Sequence, residues 1–341
     1  MSVVRVIRHA PAIISMEKSF RRNPAIGSPT LNAMGLHRRR VAAAAAMATR
    51  RRRALAGHIN AVERATFDRA GIVVRENALP DDLFQQLRDE LASRPLPAWE
   101  LRQGNAIDRT FPLPPKTDGT AFGELATFLR RADVRALIAY AAGRAGHTIS
   151  MLQTVAVSPD DGEADPQANF HADTFHSNSK FWLFLHDVGE DDGPFSYAPG
   201  SHILTPERLA WEHAQAQVAA GEADKHHAAG SFRLPEAELP MLGYGKVESF
   251  PVKANTLVVA DTYGFHRRTP SRRPTVRTSL YGVLRRNPFV PWNGLDGYDL
   301  PYLRTRTMAT HLAMQDRRAK AGKSIVYHNE GVILAEAPPQ A

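Results

Sequence analysis

The chain of 341 residues contains no cysteine. Disulfide bonds and thiolate metal sites are therefore excluded, and histidine and carboxylate side chains are the ligands left for a metal ion. No run of about 18 apolar residues occurs, so no membrane span is expected. The first residues also lack the short basic region followed by an apolar one that is typical of a secretion signal. These absences predict a cytoplasmic protein.

Acidic residues are scarce at the start of the chain. Residues 1–57 hold 12 lysines and arginines against a single acid, Glu17, for a net charge of +11, whereas the whole chain carries +8. The remaining residues therefore carry a small net negative charge. The sequence predicts a basic, partly helical extension over 1–57 and a folded domain over 58–341.

The basic extension has two open interpretations. Residues 1–35 contain three prolines and predict loose structure, and residues 36–58 predict a helix in which an alanine run separates two arginine clusters. The helix has no clean apolar face, and it either packs on the domain or on a second subunit, or contacts nucleic acid or an anionic surface through 36–57. The lack of interleaved aromatic residues favours packing. Its arginine- and alanine-rich composition also resembles an organelle transit peptide.

Beyond the extension, short helices alternate with segments rich in aromatic and β-branched residues. The patterns predict helices at 61–70, 80–92 and 122–142, and strands at 71–76 and 147–157. We expect these helices to cover one outer face of a β-sheet.

A histidine and a carboxylate stand two residues apart at His171 and Asp173. In an extended strand such residues point to the same face, so both side chains can reach one metal ion. Two histidines and a carboxylate form the facial triad of non-haem Fe(II) oxygenases. Alone, so short a motif more often marks a surface histidine beside an acid.

Two strands are predicted directly after this pair, at 180–188 and 194–198. The residues between them include Asp191-Asp192-Gly193, which is typical of a β-hairpin turn. A strand, a turn and a second strand predict a small antiparallel barrel with the site in its mouth.

The third metal ligand has two candidates. His266 stands just past an apolar strand at 256–261, and His202 follows a Pro-Gly turn. Arg277 comes eleven residues after His266, and strand alternation places it on one face with Ser279. An inward-facing arginine beside a hydroxyl suits a carboxylate, because the guanidinium fork binds both oxygens.

Five motifs in this order resemble the phytanoyl-CoA dioxygenase family. They are His171-X-Asp173, Asp192-Gly193-Pro194-Phe195, Pro199-Gly200-Ser201-His202, His266 and Arg277. The resemblance covers roughly residues 67–285 and implies a mainly β fold with flanking helices, a double-stranded β-helix of the jelly-roll, cupin-like type. It favours His266 as the third ligand, since the family uses the histidine of the Pro-Gly-Ser-His motif in a structural loop.

The resemblance implies Fe(II), 2-oxoglutarate and O2 as cofactors, with 2-oxoglutarate bound through Arg277 and Ser279. Gln153, a polar residue in a predicted strand, is a weaker candidate for a 2-oxoglutarate contact. The implied reaction hydroxylates an aliphatic C–H bond of a small-molecule or lipid-derived substrate, and it releases succinate and CO2. Related halogenases lack the carboxylate ligand, so the presence of Asp173 argues for hydroxylation.

The substrate side of the site is less defined. His176 and Lys180 are candidates for substrate contacts, or an ordinary loop histidine and a solvated lysine, and residues 221–245 form a candidate lid. Two other functions are open: a cupin-like metalloenzyme that does not use 2-oxoglutarate, and a non-catalytic binding protein that acts through its basic N-terminus. Nothing in the sequence indicates an oligomeric state.

Overall fold

The computed structural model describes residues 8–113, 121–160, 162–294, 300 and 306–337. Within these residues the helices are α1 (Pro29–Ala33), α2 (Leu36–Leu55), α3 (Ala61–Ala70), α4 (Asp81–Ser93), α5 (Ala121–Phe128), α6 (Ala132–Ala142), α7 (Pro206–Val218), α8 (Lys225–Ala228) and α9 (Thr307–Lys320). The strands are β1 (Ile72–Arg75), β2 (Leu96–Gln103), β3 (Ala106–Pro112), β4 (Ile149–Val157), β5 (Ser179–Phe184), β6 (Phe195–Tyr197), β7 (Glu248–Phe250), β8 (Thr256–Asp261), β9 (His266–Arg268), β10 (Thr275–Leu284) and β11 (His328–Ile333). No helix in these ranges is long and apolar enough to cross a membrane.

The strands form two antiparallel sheets. The larger has eight strands in the order β1-β8-β5-β10-β4-β3-β2-β11, and the smaller has three in the order β7-β6-β9. Side chains from both sheets line one cavity, so the sheets face each other across it. This arrangement confirms the predicted double-stranded β-helix with flanking helices.

The predicted hairpin between 180–188 and 194–198 is wrong. The first segment is β5, which ends at Phe184 and lies in the large sheet, whereas the second is β6 and lies in the small sheet. Both edges of β5 are already paired, with β8 on one side and β10 on the other. The turn at Glu190–Asp192 therefore carries the chain from one sheet to the other.

Helices cover the outer face of the large sheet, as expected. Phe67 of α3, Leu87 of α4 and Phe122 of α5 are buried together with Phe181 of β5 and Leu280 of β10. The single helix predicted over 122–142 is broken into α5 and α6. The other predicted helices of this region agree closely with α3 and α4.

The start of the chain is packed, although it has little regular structure. Phe20 and Ile26 are buried, and the ring of Phe20 stacks on Phe232 with 5.3 Å between centroids. The expectation of loose structure over 1–35 is therefore wrong for the described residues 8–35. Burial of aromatic and aliphatic side chains, and not regular secondary structure, holds this segment in position.

Helix α2 uses arginines on its buried face. Its buried residues recur at helical spacing on one face: His37, Arg40, Val41, Ala44, Ala48, Arg51 and Leu55. Arg51 donates to three carbonyl oxygens, those of Gly143, Pro288 and Val290. The helix therefore docks on the rest of the protein through cations, while contact with nucleic acid stays a prediction.

An ion pair joins α2 to the large sheet. Arg52 Nη2 lies 2.7 Å from Oδ2 of Asp261, whose side chain is fully buried at the end of β8. Loss of one partner of a buried ion pair leaves an uncompensated charge and costs about 3–5 kcal/mol. We therefore expect Arg52→Ala to lower the free energy of unfolding by about 3 kcal/mol, measured by urea denaturation.

The matched control is Arg50→Ala, because Arg50 is exposed on the same helix. It should change the free energy of unfolding by less than about 0.5 kcal/mol. Equal effects of the two substitutions would contradict a docking role for Arg52.

Candidate metal centre and active site

Backbone pairing brings two histidines from distant parts of the chain together. His171 and His266 form an antiparallel pair in which each N–H donates to the carbonyl oxygen of the other, both at 3.0 Å. Side chains of such a pair lie on the same face of the sheet. The ring centroids are accordingly only 4.4 Å apart.

Both imidazoles are oriented by a backbone carbonyl. Nδ1 of His171 lies 2.8 Å from the oxygen of Asn169, and Nδ1 of His266 lies 2.9 Å from the oxygen of Gly264. These contacts require the proton on Nδ1, which leaves Nε2 as the lone-pair nitrogen. Nε2 of His171 is buried and has no hydrogen-bond partner, as is expected of a metal ligand.

Asp173 completes the group. Its Oδ1 lies 3.8 Å from Nε2 of His171, and its Oδ2 lies 3.8 Å from Nε2 of His266. Each of the three residues offers a ligand atom, and these atoms lie within 4.8 Å of one another. The main chain of Asp173 is held by its N–H, which donates to the carbonyl of Thr262 at 2.9 Å.

Electrostatics set these groups in the protonation states that a metal ion requires. Burial lowers the pKa of His266 to about 4 and holds the pKa of His171 well below its ordinary value. Burial alone would raise the pKa of Asp173, but the Lys180 ammonium lowers it well below its ordinary value. Two neutral imidazoles and one carboxylate therefore face one point. Such a donor set fits Fe(II) with three coordination positions left open.

The three residues lie in a cavity of about 520 Å³ between the sheets. The large sheet supplies alternate residues of β4, β5 and β10, and the small sheet supplies β6 and β9. Apolar and aromatic side chains form much of the wall: Ile149, Met151, Val155, Trp182, Phe184, Val188, Phe195, Tyr281, Val283, Met308 and Tyr327. A cavity of this size and composition suits a small organic substrate.

The sequence candidates for 2-oxoglutarate contacts lie together in this cavity. Arg277 and Ser279 alternate along β10, and Gln153 is the cross-strand partner of Ser279 on β4. The guanidinium of Arg277 donates to the carbonyl oxygen of Asp192 and has no carboxylate partner among the described residues. Burial, helped by the charge of Arg268, lowers the pKa of Arg277 to about 9.

Lys180 lies in the candidate metal centre and is not a solvated lysine. Its Nζ lies 2.8 Å from Oδ2 of Asp173, and its side chain is 19% exposed. Burial alone would lower the pKa of Lys180, but the charge of Asp173 raises it. Lys180 therefore neutralises the carboxylate ligand and holds it toward the imidazoles.

Lys18 is a site residue that sequence analysis missed. Its Nζ donates to the main-chain oxygen of Asp173 at 2.5 Å, and both Met16 and Lys18 line the cavity. Lys18 belongs to a segment more than 150 positions from Asp173, and no motif marks it. The basic extension thus reaches into the candidate active site.

His176 and His202 lie outside the metal cavity. Both line a second cavity between α2 and the domain, and burial lowers the pKa of each to about 3. His202 packs edge-on against Phe67 with 5.1 Å between the ring centroids. The structure therefore does not bring His176 to the substrate side, and it does not bring His202 to the metal ligands.

The candidate lid at 221–245 packs beside the metal-binding segment. Ala172 donates to the carbonyl of Phe232 at 2.9 Å, and Arg233 forms a β-bridge with His171. No residue of 221–245 lines the cavity. This position supports the strand that carries His171, and a lid role stays a prediction.

A family model described as phytanoyl-CoA dioxygenase matches residues 67–271, which is more than half of the chain. No curated protein gives a significant match. Similar solved structures include the epimerase SnoN in complex with Fe3+, alpha ketoglutarate and nogalamycin RO, at 19% identity over 69% of this chain and 92% of that chain, with a TM-score of 0.40.

Two further structures show a comparable likeness. HygX from Streptomyces hygroscopicus, with nickel and 2-oxoglutarate bound, is 15% identical over 71% of this chain and 92% of that chain, with a TM-score of 0.41. EctD from S. alaskensis, with bound Fe, is 14% identical over 72% and 84%, with a TM-score of 0.38. Likenesses this distant carry no argument about what the present chain binds.

The geometry predicts that each of the three residues is needed for metal binding. We expect His171→Ala, Asp173→Ala and His266→Ala each to weaken Fe(II) binding by roughly a hundredfold or more. Loss of a residue that only hydrogen-bonds a metal ligand already costs about 10- to 100-fold, and loss of the ligand itself should cost at least as much. Anaerobic calorimetric titration with Fe(II) measures this affinity.

The control for these variants is His58→Ala, since His58 is exposed and lies away from the cavity. Its Fe(II) affinity should equal that of the unsubstituted protein. A variant of His171, Asp173 or His266 with full affinity would remove that residue from the ligand set.

Proposed function

The chain belongs to the phytanoyl-CoA dioxygenase family, and from that membership we propose that it is an Fe(II)- and 2-oxoglutarate-dependent dioxygenase that hydroxylates an aliphatic C–H bond. Family membership and the three-residue metal group confirm the predicted cofactors, Fe(II), 2-oxoglutarate and O2. The observation that carries the proposal is the convergence of His171, Asp173 and His266 in a cavity that also holds Arg277.

In this proposal the protein binds and orients the reactants. His171, Asp173 and His266 would hold the metal, and a facial set of three ligands would leave positions for 2-oxoglutarate and O2. The bound metal supplies O2 chemistry, in which 2-oxoglutarate is converted to succinate and CO2 and one oxygen atom is inserted into a C–H bond. The apolar wall around the centre excludes water and confines the oxidation to the bound substrate.

Arg277 is the proposed anchor for the distal carboxylate of 2-oxoglutarate. Its guanidinium lines the cavity, and the described residues offer it no acidic partner within ion-pair distance. A cation in that position costs desolvation energy that a bound carboxylate recovers through two parallel hydrogen bonds. Ser279 and Gln153 stand next along the two paired strands and can donate further hydrogen bonds.

Hydroxylation is the proposed outcome because the carboxylate ligand is present. Asp173 would fill the coordination position that a halide needs, and Lys180 orients its carboxylate through the 2.8 Å ion pair. Other outcomes occur on similar folds: SnoN is described as an epimerase and SnoK as a carbocyclase. Hydroxylation of a small-molecule or lipid-derived substrate therefore needs its own experiment, namely a metabolite screen with mass spectrometry of the product.

An anaerobic titration tests the proposed function against the two other functions. Fe(II)-loaded protein is titrated with 2-oxoglutarate and followed by visible absorption. We expect a charge-transfer band, because the keto acid chelates the metal directly. A metalloenzyme that does not use 2-oxoglutarate would bind Fe(II) but would show no charge-transfer band. A non-catalytic binding protein would bind neither Fe(II) nor 2-oxoglutarate. Either result contradicts the proposal.

Substitution of Arg277 tests the anchor. Because charge-assisted hydrogen bonds contribute about 1.5–3 kcal/mol each, we expect Arg277→Ala to raise the dissociation constant for 2-oxoglutarate by roughly 10- to 100-fold. The affinity for Fe(II) should stay unchanged. The charge-transfer titration measures the first quantity and calorimetry the second.

Arg135→Ala is the matched control, because Arg135 is exposed on α6 and does not line the cavity. It should bind 2-oxoglutarate as the unsubstituted protein does. An unchanged dissociation constant for Arg277→Ala would place the distal carboxylate elsewhere.

A further inference from the structure

The cavity extends past the metal centre into a region built by residues outside the family match. Met16 and Lys18 come from the N-terminal segment, Arg285 follows β10, Met308 lies on α9, and Tyr327 precedes β11. All five lie beyond residues 67–271. The chemistry of these residues indicates what this end of the cavity accepts.

Strand alternation places Arg285 just beyond the metal centre. Arg277 lines the cavity at one end of β10, and Val283, six residues on, lines it opposite Lys180 of β5. Since Lys180 is ion-paired with Asp173, this level of the strand is the level of the metal ligands. Arg285 is the next inward position, and its side chain is exposed at the cavity mouth.

Three cations that line the cavity have an acidic partner: Lys180 pairs with Asp173, Arg268 with Asp108 and Asp165, and Arg267 with Glu236. Lys18 and Arg285 differ from these, because no carboxylate of the described residues lies within ion-pair distance of either side chain. They share this property with Arg277, the proposed anchor for 2-oxoglutarate. The hydrogen bond of Lys18 is to a neutral carbonyl oxygen.

Lys18 is held in the cavity by a rigid segment. Arg40 of α2 donates to the carbonyl oxygens of Ile13, Ser15 and Glu17, at 2.9, 3.1 and 2.6 Å. The Lys18 side chain lines the cavity and is only partly exposed. A cation fixed in such surroundings gains from an anionic ligand, because an opposite charge offsets its desolvation.

We propose that the substrate of this enzyme carries an oxyanion, a carboxylate or a phosphate ester, that binds between Lys18 and Arg285. The carbon skeleton then lies along Tyr281, Met308 and Tyr327 and presents a C–H bond to the metal centre. This inference rests on the proposed function. It makes Lys18, a residue of the basic extension, part of substrate recognition.

A 2-oxoglutarate molecule bound to Arg277 cannot also reach the site between Lys18 and Arg285. Arg277 and Arg285 are eight residues apart along the chain, which corresponds to roughly 26 Å at the rise of an extended strand. A five-carbon diacid does not span that length. The two cationic ends therefore bind two different anions, on opposite sides of the metal ligands.

Matched six-carbon probes test the proposal. Hexanoate, hexyl phosphate and the neutral hexanamide are titrated by calorimetry into anaerobic protein loaded with Fe(II) and 2-oxoglutarate, so that no turnover occurs. We expect at least one of the two anions to bind about tenfold more tightly than the amide, since a charge-assisted hydrogen bond contributes about that factor. The stronger of the two anions identifies the headgroup.

Two substitutions locate the site. Arg285→Gln and Lys18→Gln should each reduce the preference for the anion by about tenfold, and glutamine at position 18 retains a donor for the carbonyl oxygen of Asp173. Arg88→Gln and Lys246→Gln are the controls, because both residues are exposed and neither lines the cavity. The controls should leave the preference unchanged.

Three outcomes overturn the inference: no preference for either anion, a preference that both substitutions leave intact, or an equal loss in the controls. The charge-transfer band with 2-oxoglutarate is recorded on the same samples. If the band forms and no anion preference is found, the dioxygenase function stands and the oxyanion site fails. If the band is absent, the proposed function fails on its own test.

Discussion

The candidate metal centre depends on one antiparallel backbone pair, that of His171 with His266. Two reciprocal hydrogen bonds of 3.0 Å fix the register between segments 95 positions apart. Because side chains alternate along a strand, a slip of one residue would turn one imidazole to the opposite face and leave Asp173 with a single nitrogen partner. The segment 232–234 pairs with the other edge of the strand that carries His171 and so restrains the register from both sides.

Charge balance in the centre follows from this geometry. A largely buried carboxylate would otherwise bind a proton, and the ammonium of Lys180 at 2.8 Å outweighs that tendency and keeps the pKa of Asp173 low. Lys18 meets the main-chain oxygen of the same residue. The aspartate is thus held from its side chain and its backbone by two lysines from different parts of the chain. Its orientation toward the imidazoles is fixed by the folded protein before any metal binds.

The part of the site that could be predicted is the part that local chemistry determines. The spacing of His171 and Asp173 follows from strand alternation, and the order of His266 and Arg277 follows from the family motifs. Lys18, by contrast, donates to the main-chain carbonyl oxygen of Asp173 in a distant segment. Every residue has such an oxygen, so no residue type in the sequence indicates this contact. The hairpin prediction failed for a related reason, because the pairing of β5 with β8 and β10 is long-range and overrides a local turn pattern. His176 stands three residues after Asp173, yet the chain turns there and buries it on the other side.

Several arginines of the basic extension bind groups inside the protein and do not face solvent. Arg40 and Arg51 donate hydrogen bonds to backbone carbonyl oxygens inside the protein, and Arg52 forms an ion pair with Asp261. A count of arginines therefore overstates the cationic surface that α2 presents to solvent. Arg40 holds the segment that leads to Lys18, a residue that lines the cavity, and Arg52 ties α2 to the end of β8. Since a guanidinium can donate to several carbonyl oxygens at once, the buried arginines of α2 add hydrogen bonds to the apolar contacts of Val41, Ala44 and Leu55. The extension accordingly supplies Met16 and Lys18 to the wall of the candidate active site, and the arginines of α2 hold it in place.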